Sequence, residues 1–213
     1  MLRVHSFTFN PFEENTYVLF DETKECVIID PGCLTAEEQK DLAGFISGNS
    51  LRPVRLLNTH CHIDHVFGNR FVADKYKLDL EMHLSDLPVL HSLGKVSEMY
   101  GIPCQPSPEP KIFLEEGGRI LFGDSELEIF FTPGHSPGHV VFYSAKENFV
   151  ISGDVLFLQS IGRTDLPGGD YDTLIRSINE KLFLLADETK VFPGHGPATS
   201  IGHERRNNPF LTN

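Results

Sequence analysis

Within the stretch LLNTHCHIDH, His60, His62, Asp64 and His65 crowd three imidazoles and a carboxylate into six positions at the end of an apolar run. Imidazoles gathered this closely are poor core material unless a metal or several hydrogen bonds satisfy them. His60 and His62, two apart in an extended segment, project to the same side and can share one cation. Asp64 and His65 are adjacent and would diverge on a strand. A chain curling into a helix, with His65 at its start, can aim both at a second cation close by. Three more segments end an apolar strand with a metal-type side chain: FFTPGH with His135, VISGD with Asp154 and VFPGH with His195. Alone, each is an ordinary turn or helix cap. Together, five histidines and two aspartates can supply six terminal ligands and one bridge to two divalent ions about 3.5–4 Å apart. Imidazole and carboxylate accept zinc, iron or manganese, and zinc is the first expectation.

The remaining candidates receive plainer readings. Cys61 lies inside the cluster but is expected to be a bystander, because histidines and carboxylates already fill a ligand set. Cys26, Cys33 and Cys104 form no C-x-x-C pair with it or each other, which argues against a zinc knuckle and a disulfide framework. His139, four residues after His135, is expected to orient a ligand. His5, His83 and His91 are expected to be structural, and His203 to cap or pack as readily as to meet a substrate.

These residues need elements to position them. The patterning predicts strands near 2–9, 16–20 and 26–30, the last closing on the turn signal DPG. A helix follows from Thr35, where TAEE forms a capping box with Glu38. VRLLN predicts a strand, 65–76 a helix, 78–83 a strand and 87–99 a helix with Pro88 in its first turn. Four prolines in residues 101–111 predict an irregular crossing segment. Strands near 119–122, 126–131, 139–144 and 148–152 come next, then a helix over 171–185 and KVFPG. Strands followed by helices, twice over, suggest two halves, each with a sheet and outer helices.

The length of 213 residues suits one domain with a sizeable core, and 40% apolar and 23% charged residues are globular proportions. No run of about 18 apolar residues exists, so no membrane span is expected. The N-terminus lacks a secretory pattern, which predicts a cytoplasmic protein. A formal charge of −12 disfavours nucleic acid and anionic membranes as partners.

T-H-x-H-x-D-H at 59–65, followed in order by His135, Asp154 and His195, resembles the metallo-β-lactamase superfamily. The resemblance implies an α/β (αββα) sandwich of two mixed sheets with outer helices, built as a single domain over residues 1–213, with a dinuclear site at its edge. It implies His60, His62 and His135 for the first metal, Asp64, His65 and His195 for the second, and Asp154 as bridge. Asp64 and Asp154 are then the expected catalytic carboxylates. The flavodiiron branch carries Glu where His62 stands, so it is not expected. GDVLFLQSIGRTDLPGGDYDTLIRSI and VFPGHGPATSIGHERRNNPFL resemble the short glyoxalase II-like hydrolases. Full-length glyoxalase II carries a further helical C-terminal segment that grips glutathione, whereas this chain stops shortly after NNPFL.

The resemblance implies hydrolysis of a thioester such as S-lactoylglutathione by hydroxide held between two metals. Arg163 is a candidate for a substrate carboxylate, although an ion pair with Asp165 or Asp170 serves it equally, and Tyr171 is a weaker candidate that packing equally explains. The alternative is a persulfide dioxygenase with one iron on His60, His135 and Asp154. Lactonase or phosphodiesterase activity ranks lower. Acyl group and oligomeric state stay open.

Overall fold

The computed structural model describes residues 1–212. Its first half contains β1 (Arg3–Phe9), β2 (Glu14–Phe20), β3 (Glu25–Ile29), α1 (Ala36–Gly48), β4 (Arg52–Leu57), α2 (Ile63–Val66), α3 (Asn69–Tyr76), β5 (Leu80–Met82), α4 (Leu87–Tyr100) and β6 (Ile112–Phe113). These strands form one sheet in the order β1 to β6, antiparallel through β3 and parallel thereafter. The second half contains β7 (Arg119–Phe122), β8 (Ser125–Phe131), β9 (Val140–Ser144), β10 (Phe149–Gly153), β11 (Leu156–Phe157), β12 (Ser160–Ile161), α5 (Tyr171–Glu180), β13 (Lys190–Pro193), β14 (Thr199–Ser200) and α6 (Ile201–Asn207). Its sheet runs β14-β13-β10-β9-β8-β7, with β10 and β13 the parallel pair. Strands β11 and β12 pair separately as a small hairpin.

The period-2 alternation of side chains produces the layers. Tyr17, Leu19, Val27, Ile29 and Leu57 pack inward against Ile120, Leu127, Phe142 and Ile151 of the other sheet. Their neighbours Val18, Phe20, Cys26, Ile28 and Leu56 face outward and are covered by Leu42 and Ile46 of α1, Val72 of α3 and Leu90 of α4. On the far side, Val141, Val150 and Val191 are covered by Leu174 and Ile178 of α5 and Ile201 of α6. Helix, sheet, sheet, helix is therefore the order of layers, and the α/β sandwich of two mixed sheets is confirmed. Central strands buried on both faces are continuous apolar runs, which is why VLF, CVII and VIS carry no alternation in sequence.

Local signals explain most element ends. Thr35 Oγ1 accepts from the Glu38 N–H at 3.2 Å and Glu38 Oε2 from the Thr35 N–H at 2.7 Å, so the capping box forms. Residues 101–111 hold no helix or strand, as their prolines require. The helix expected over 65–76 is two pieces. Gly68 separates them, because its N–H donates to Pro31 O at 2.7 Å and a side chain there would strike Cys33. His65 accordingly sits within the single turn of α2, not at a helix start. The helix expected to reach residue 185 ends at Glu180, and a 3-10 turn covers Leu182–Leu184. The β11–β12 hairpin and α6 were not expected from the sequence.

Candidate metal centre

All the donors lie where chain leaves a strand. His60 and His62 follow β4, and Asp64 and His65 occupy α2. His135 sits in the loop after β8, Asp154 directly after β10 and His195 just after β13. Hydrogen bonds draw these exits together across the two sheets. Val140 N–H donates to Thr59 O at 2.8 Å, Gly194 N–H to Gly153 O at 2.8 Å, and Asn15 N–H to Gly194 O at 2.7 Å.

Three groups of donor atoms result, each within 4.8 Å of one another: His60 with His62 and His135, Asp64 with His65 and His195, and Asp30 with His60 and His65. Asp154 stands between the first two. Its Oδ1 lies 3.4 Å from His65 Nε2, and its Oδ2 lies 3.5 Å from both His135 Nε2 and His195 Nε2. Asp64 Oδ2 is 3.1 Å from His195 Nε2 and 3.6 Å from His65 Nε2. All seven residues named from the sequence are brought together.

The outer ring nitrogens decide what the inner ones can do. His135 Nδ1 is 2.7 Å from Arg163 O and His195 Nδ1 is 3.0 Å from Phe12 O. A carbonyl only accepts, so each Nδ1 carries the proton and each Nε2 keeps its lone pair. His65 Nδ1 donates likewise to Asp30 Oδ2 at 3.2 Å, which leaves Nε2 as the atom that takes either a proton or a cation. Thr59 Oγ1 donates to Asp30 Oδ2 at 2.6 Å, so it accepts from His60 Nδ1 at 3.0 Å. His60 Nε2, His65 Nε2 and Asp154 Oδ1 are buried without a hydrogen-bond partner. His62 Nδ1 and His135 Nε2 stand 2.8 Å apart. Orphaned inner atoms and converging lone pairs are what a bound cation would satisfy, so the donor set fits a metal pair.

Electrostatics agrees. Burial and the neighbouring imidazoles push His60 well below the usual imidazole range and His62 down to about 3, so both are neutral near pH 7. Burial opposes a charge on His65 too, yet Asp154 and Asp64 beside it raise it well above normal. Burial likewise opposes ionisation of Asp154, but His65 holds its carboxyl far below the usual range. Without cations, protons on imidazole balance the carboxylates; a divalent ion would displace those protons.

Other residues fall outside the donor set. His139 Nε2 accepts the Asp154 backbone N–H at 3.0 Å while its Nδ1 faces Thr132 Oγ1 at 3.3 Å, so both nitrogens are engaged and it holds the Asp154 backbone in place. Cys61 is buried, with its N–H on Asp86 Oδ2 at 2.6 Å and its sulfur 3.5 Å from Met82 Sδ. Burial raises its thiol far above normal, so thiolate is not available. Arg163 lines the cavity over the centre, but its guanidinium grips Asp165 at 2.7 and 2.8 Å. Tyr171 is exposed at the start of α5 and takes no part in that cavity's lining. His5 stacks on Phe45 and His83 on Phe131, as structural residues would.

The sequence reading missed Asp30 and Asp86. Asp30 accepts from the Thr59 N–H at 2.7 Å, Thr59 Oγ1 and His65 Nδ1, and so orients a candidate donor in each of the first two groups. Its oxygens also lie near His60 and His65, but they already accept these hydrogen bonds, so Asp30 buttresses the histidines. Asp86 accepts from Cys61 N–H, Ser136 Oγ and Gly138 N–H, each at 2.6 Å, tying the His60–His65 segment to the His135 loop. The signal for Asp30 was DPG, which on its own marks only a turn.

The profile of the metallo-β-lactamase superfamily matches residues 9–195. Hydroxyacylglutathione hydrolase GloC of Haemophilus influenzae is 37% identical over 202 residues, covering 94% of this chain and 93% of its own. Among solved structures, BLEG-1 B3 metallo-β-lactamase superposes with a TM-score of 0.90 at 38% identity over the whole of both chains. TTHA1623, solved in a di-iron-bound form, gives 0.88 at 39% identity, covering 98% of this chain and all of its own.

Proposed function

The chain belongs to the metallo-β-lactamase superfamily and is a metallohydrolase by that membership; we propose that it acts on thioesters, with two divalent ions on the seven donors. The observation that carries the proposal is the pair of three-donor groups with Asp154 between them, on the floor of a cavity of about 810 Å³. His60, His62 and His135 would hold one ion, Asp64, His65 and His195 the other, and Asp154 would bridge. Ions held by these residues would supply Lewis acidity, to bring the pKa of a water toward neutrality and to polarise an acyl carbonyl. Zinc is the first candidate, and the di-iron relative favours testing iron equally.

This chain's own residues position and shield. Phe12 O and Arg163 O hold His195 and His135 by their outer nitrogens, so their inner nitrogens keep a fixed aim. Asp30 does the same for His65, and through Thr59 for His60. Beyond the donors, the described lining of the cavity holds no further imidazole or carboxylic acid to protonate a leaving group. A thiol with a pKa near 8.5 departs as thiolate without one, whereas an amine leaving from an amide needs a proton. That asymmetry supports thioesters over the β-lactam amides suggested by the likeness to BLEG-1. The GloC relative supports S-lactoylglutathione as the first substrate to try, and the four free cysteines suit a cytoplasmic setting.

The test is turnover of S-lactoylglutathione and of a cephalosporin by protein loaded with zinc or iron. We expect thioester cleavage to exceed lactam cleavage, and Asp154→Ala to lose both activity and metal. Thioester turnover that persists in Asp154→Ala, or lactam cleavage alone, would overturn the proposal.

A further inference from the structure

The cavity above the metal centre is far larger than a lactoyl group requires, and one of its walls has an unexpected character. Helix α4 turns Val89, Val96, Met99 and Tyr100 toward the cavity, a stripe at helical spacing that continues the cavity away from the donors. Met99 is 72% exposed and Tyr100 43% exposed, a large apolar surface left uncovered by the fold itself. Phe12 extends the stripe: its ring meets that of Tyr100 edge-on at 5.5 Å, while its carbonyl holds His195.

Two of the polar side chains along this wall are already satisfied within the protein, which leaves the Tyr100 hydroxyl and Lys95 at its exposed end. Ser92 Oγ donates to Val89 O of its own helix at 2.7 Å. The Arg163 guanidinium is taken by Asp165. Lys95 alone brings a cation with no carboxylate at ion-pair distance among the described residues, and it is exposed. A substrate lying here therefore meets apolar surface continuous with the donors, in a space of the size that takes a drug-sized molecule. We propose that the substrate carries an extended apolar arm, aliphatic or aromatic, that lies along the α4 wall while its scissile bond rests over the metal centre. The inference rests on the thioester reading for the bond but not for the arm.

The experiment measures kcat/KM of the metal-loaded protein on two series. One varies the acyl group from acetyl to octanoyl on a single thiol, and the other varies an alkyl thiol on a single acyl group. One series should rise about fourfold per methylene over several carbons. Met99→Gln, at an exposed position, should flatten that rise at unchanged metal content. Calorimetric titration with carboxylates from acetate to octanoate reads the same wall without turnover, and affinity should climb in parallel. Tighter binding of longer carboxylates with no thioester cleaved would keep the arm and discard the thioester. Flat responses in both series and in the titration would overturn the arm, as would slopes unchanged by Met99→Gln.

Discussion

His60 and His139 lie nearly parallel, ring centroids 4.8 Å apart, yet only one of them has a nitrogen to spare. His139 spends both on Thr132 and the Asp154 backbone, while His60 spends one on Thr59 and leaves Nε2 bare. The difference between a free donor and its support is thus a matter of hydrogen-bond accounting that residue type cannot reveal. Cys61 poses the same question between two ligands. Its sulfur packs on Met82, its thiol is held protonated, and it belongs to none of the donor groups. Cys61→Ala should therefore leave metal content and kcat nearly unchanged while costing about 1 kcal/mol of stability from the lost packing. Metal analysis with steady-state kinetics checks this; a large loss of activity with metal retained would contradict it.

At the scale of elements, the exits of β10 and β13 must pass very close to each other. A methyl group on Gly194 would collide with Asp154 Oδ1 and crowd His65 Cε1. Gly194→Ala should weaken metal binding by about 10- to 100-fold, the range seen when a ligand's support is disturbed, while the circular dichroism spectrum stays native. Affinity unchanged by competition with a chelator would show that the two exits have slack. A second tie joins the sheets far from the centre. Asp21, at the end of β2, accepts from Thr23 N–H at 2.9 Å, Asp124 N–H at 2.7 Å and Ser125 Oγ at 2.8 Å, clamping the β7–β8 turn. Burial works against its ionisation, but these hydrogen bonds bring its carboxyl down to about 2. A carboxyl with a lowered native pKa stabilises fully above its unfolded value near 3.9, and that stability drains as pH falls toward 2. Asp21→Asn should lower Tm by about 2–4 °C at pH 7, for a loss of about 1 kcal/mol, and by less as pH approaches 2. Equal shifts at both pH values would refute the assignment.

Elements also mark how far the sequence was legible. The capping Thr35, the prolines of 101–111 and the apolar runs announced α1, the crossing loop and the central strands. The seven candidate donors were legible only as a set, because each His or Asp at a strand exit reads alone as an ordinary turn or cap. What stayed hidden depended on contacts distant in sequence. Gly68 splits a helix because Pro31 and Cys33 press on it, and Asp30 orients His65 from 35 residues away. Ser200 caps α6 by accepting from the His203 N–H at 3.3 Å, a local signal obscured by the Gly and Pro just before it.

For the whole molecule, the sandwich gathers strand exits from both sheets along one edge, and neither half carries a complete centre. His60, His62, Asp64 and His65 come from the first half and His135, Asp154 and His195 from the second. No helix among the described residues is long and apolar enough to cross a membrane. Since each proposed donor group draws residues from both halves, bound metal should fasten them, and stability should rise with metal in proportion to the logarithm of its free concentration. The most direct test of the account is metal content per chain, measured by mass spectrometry on purified protein after reconstitution, beside S-lactoylglutathione hydrolysis and oxygen uptake on the same sample. The account predicts close to two ions per chain with thioester hydrolysis. A single iron with oxygen uptake on glutathione persulfide and no hydrolysis would contradict it and favour the dioxygenase.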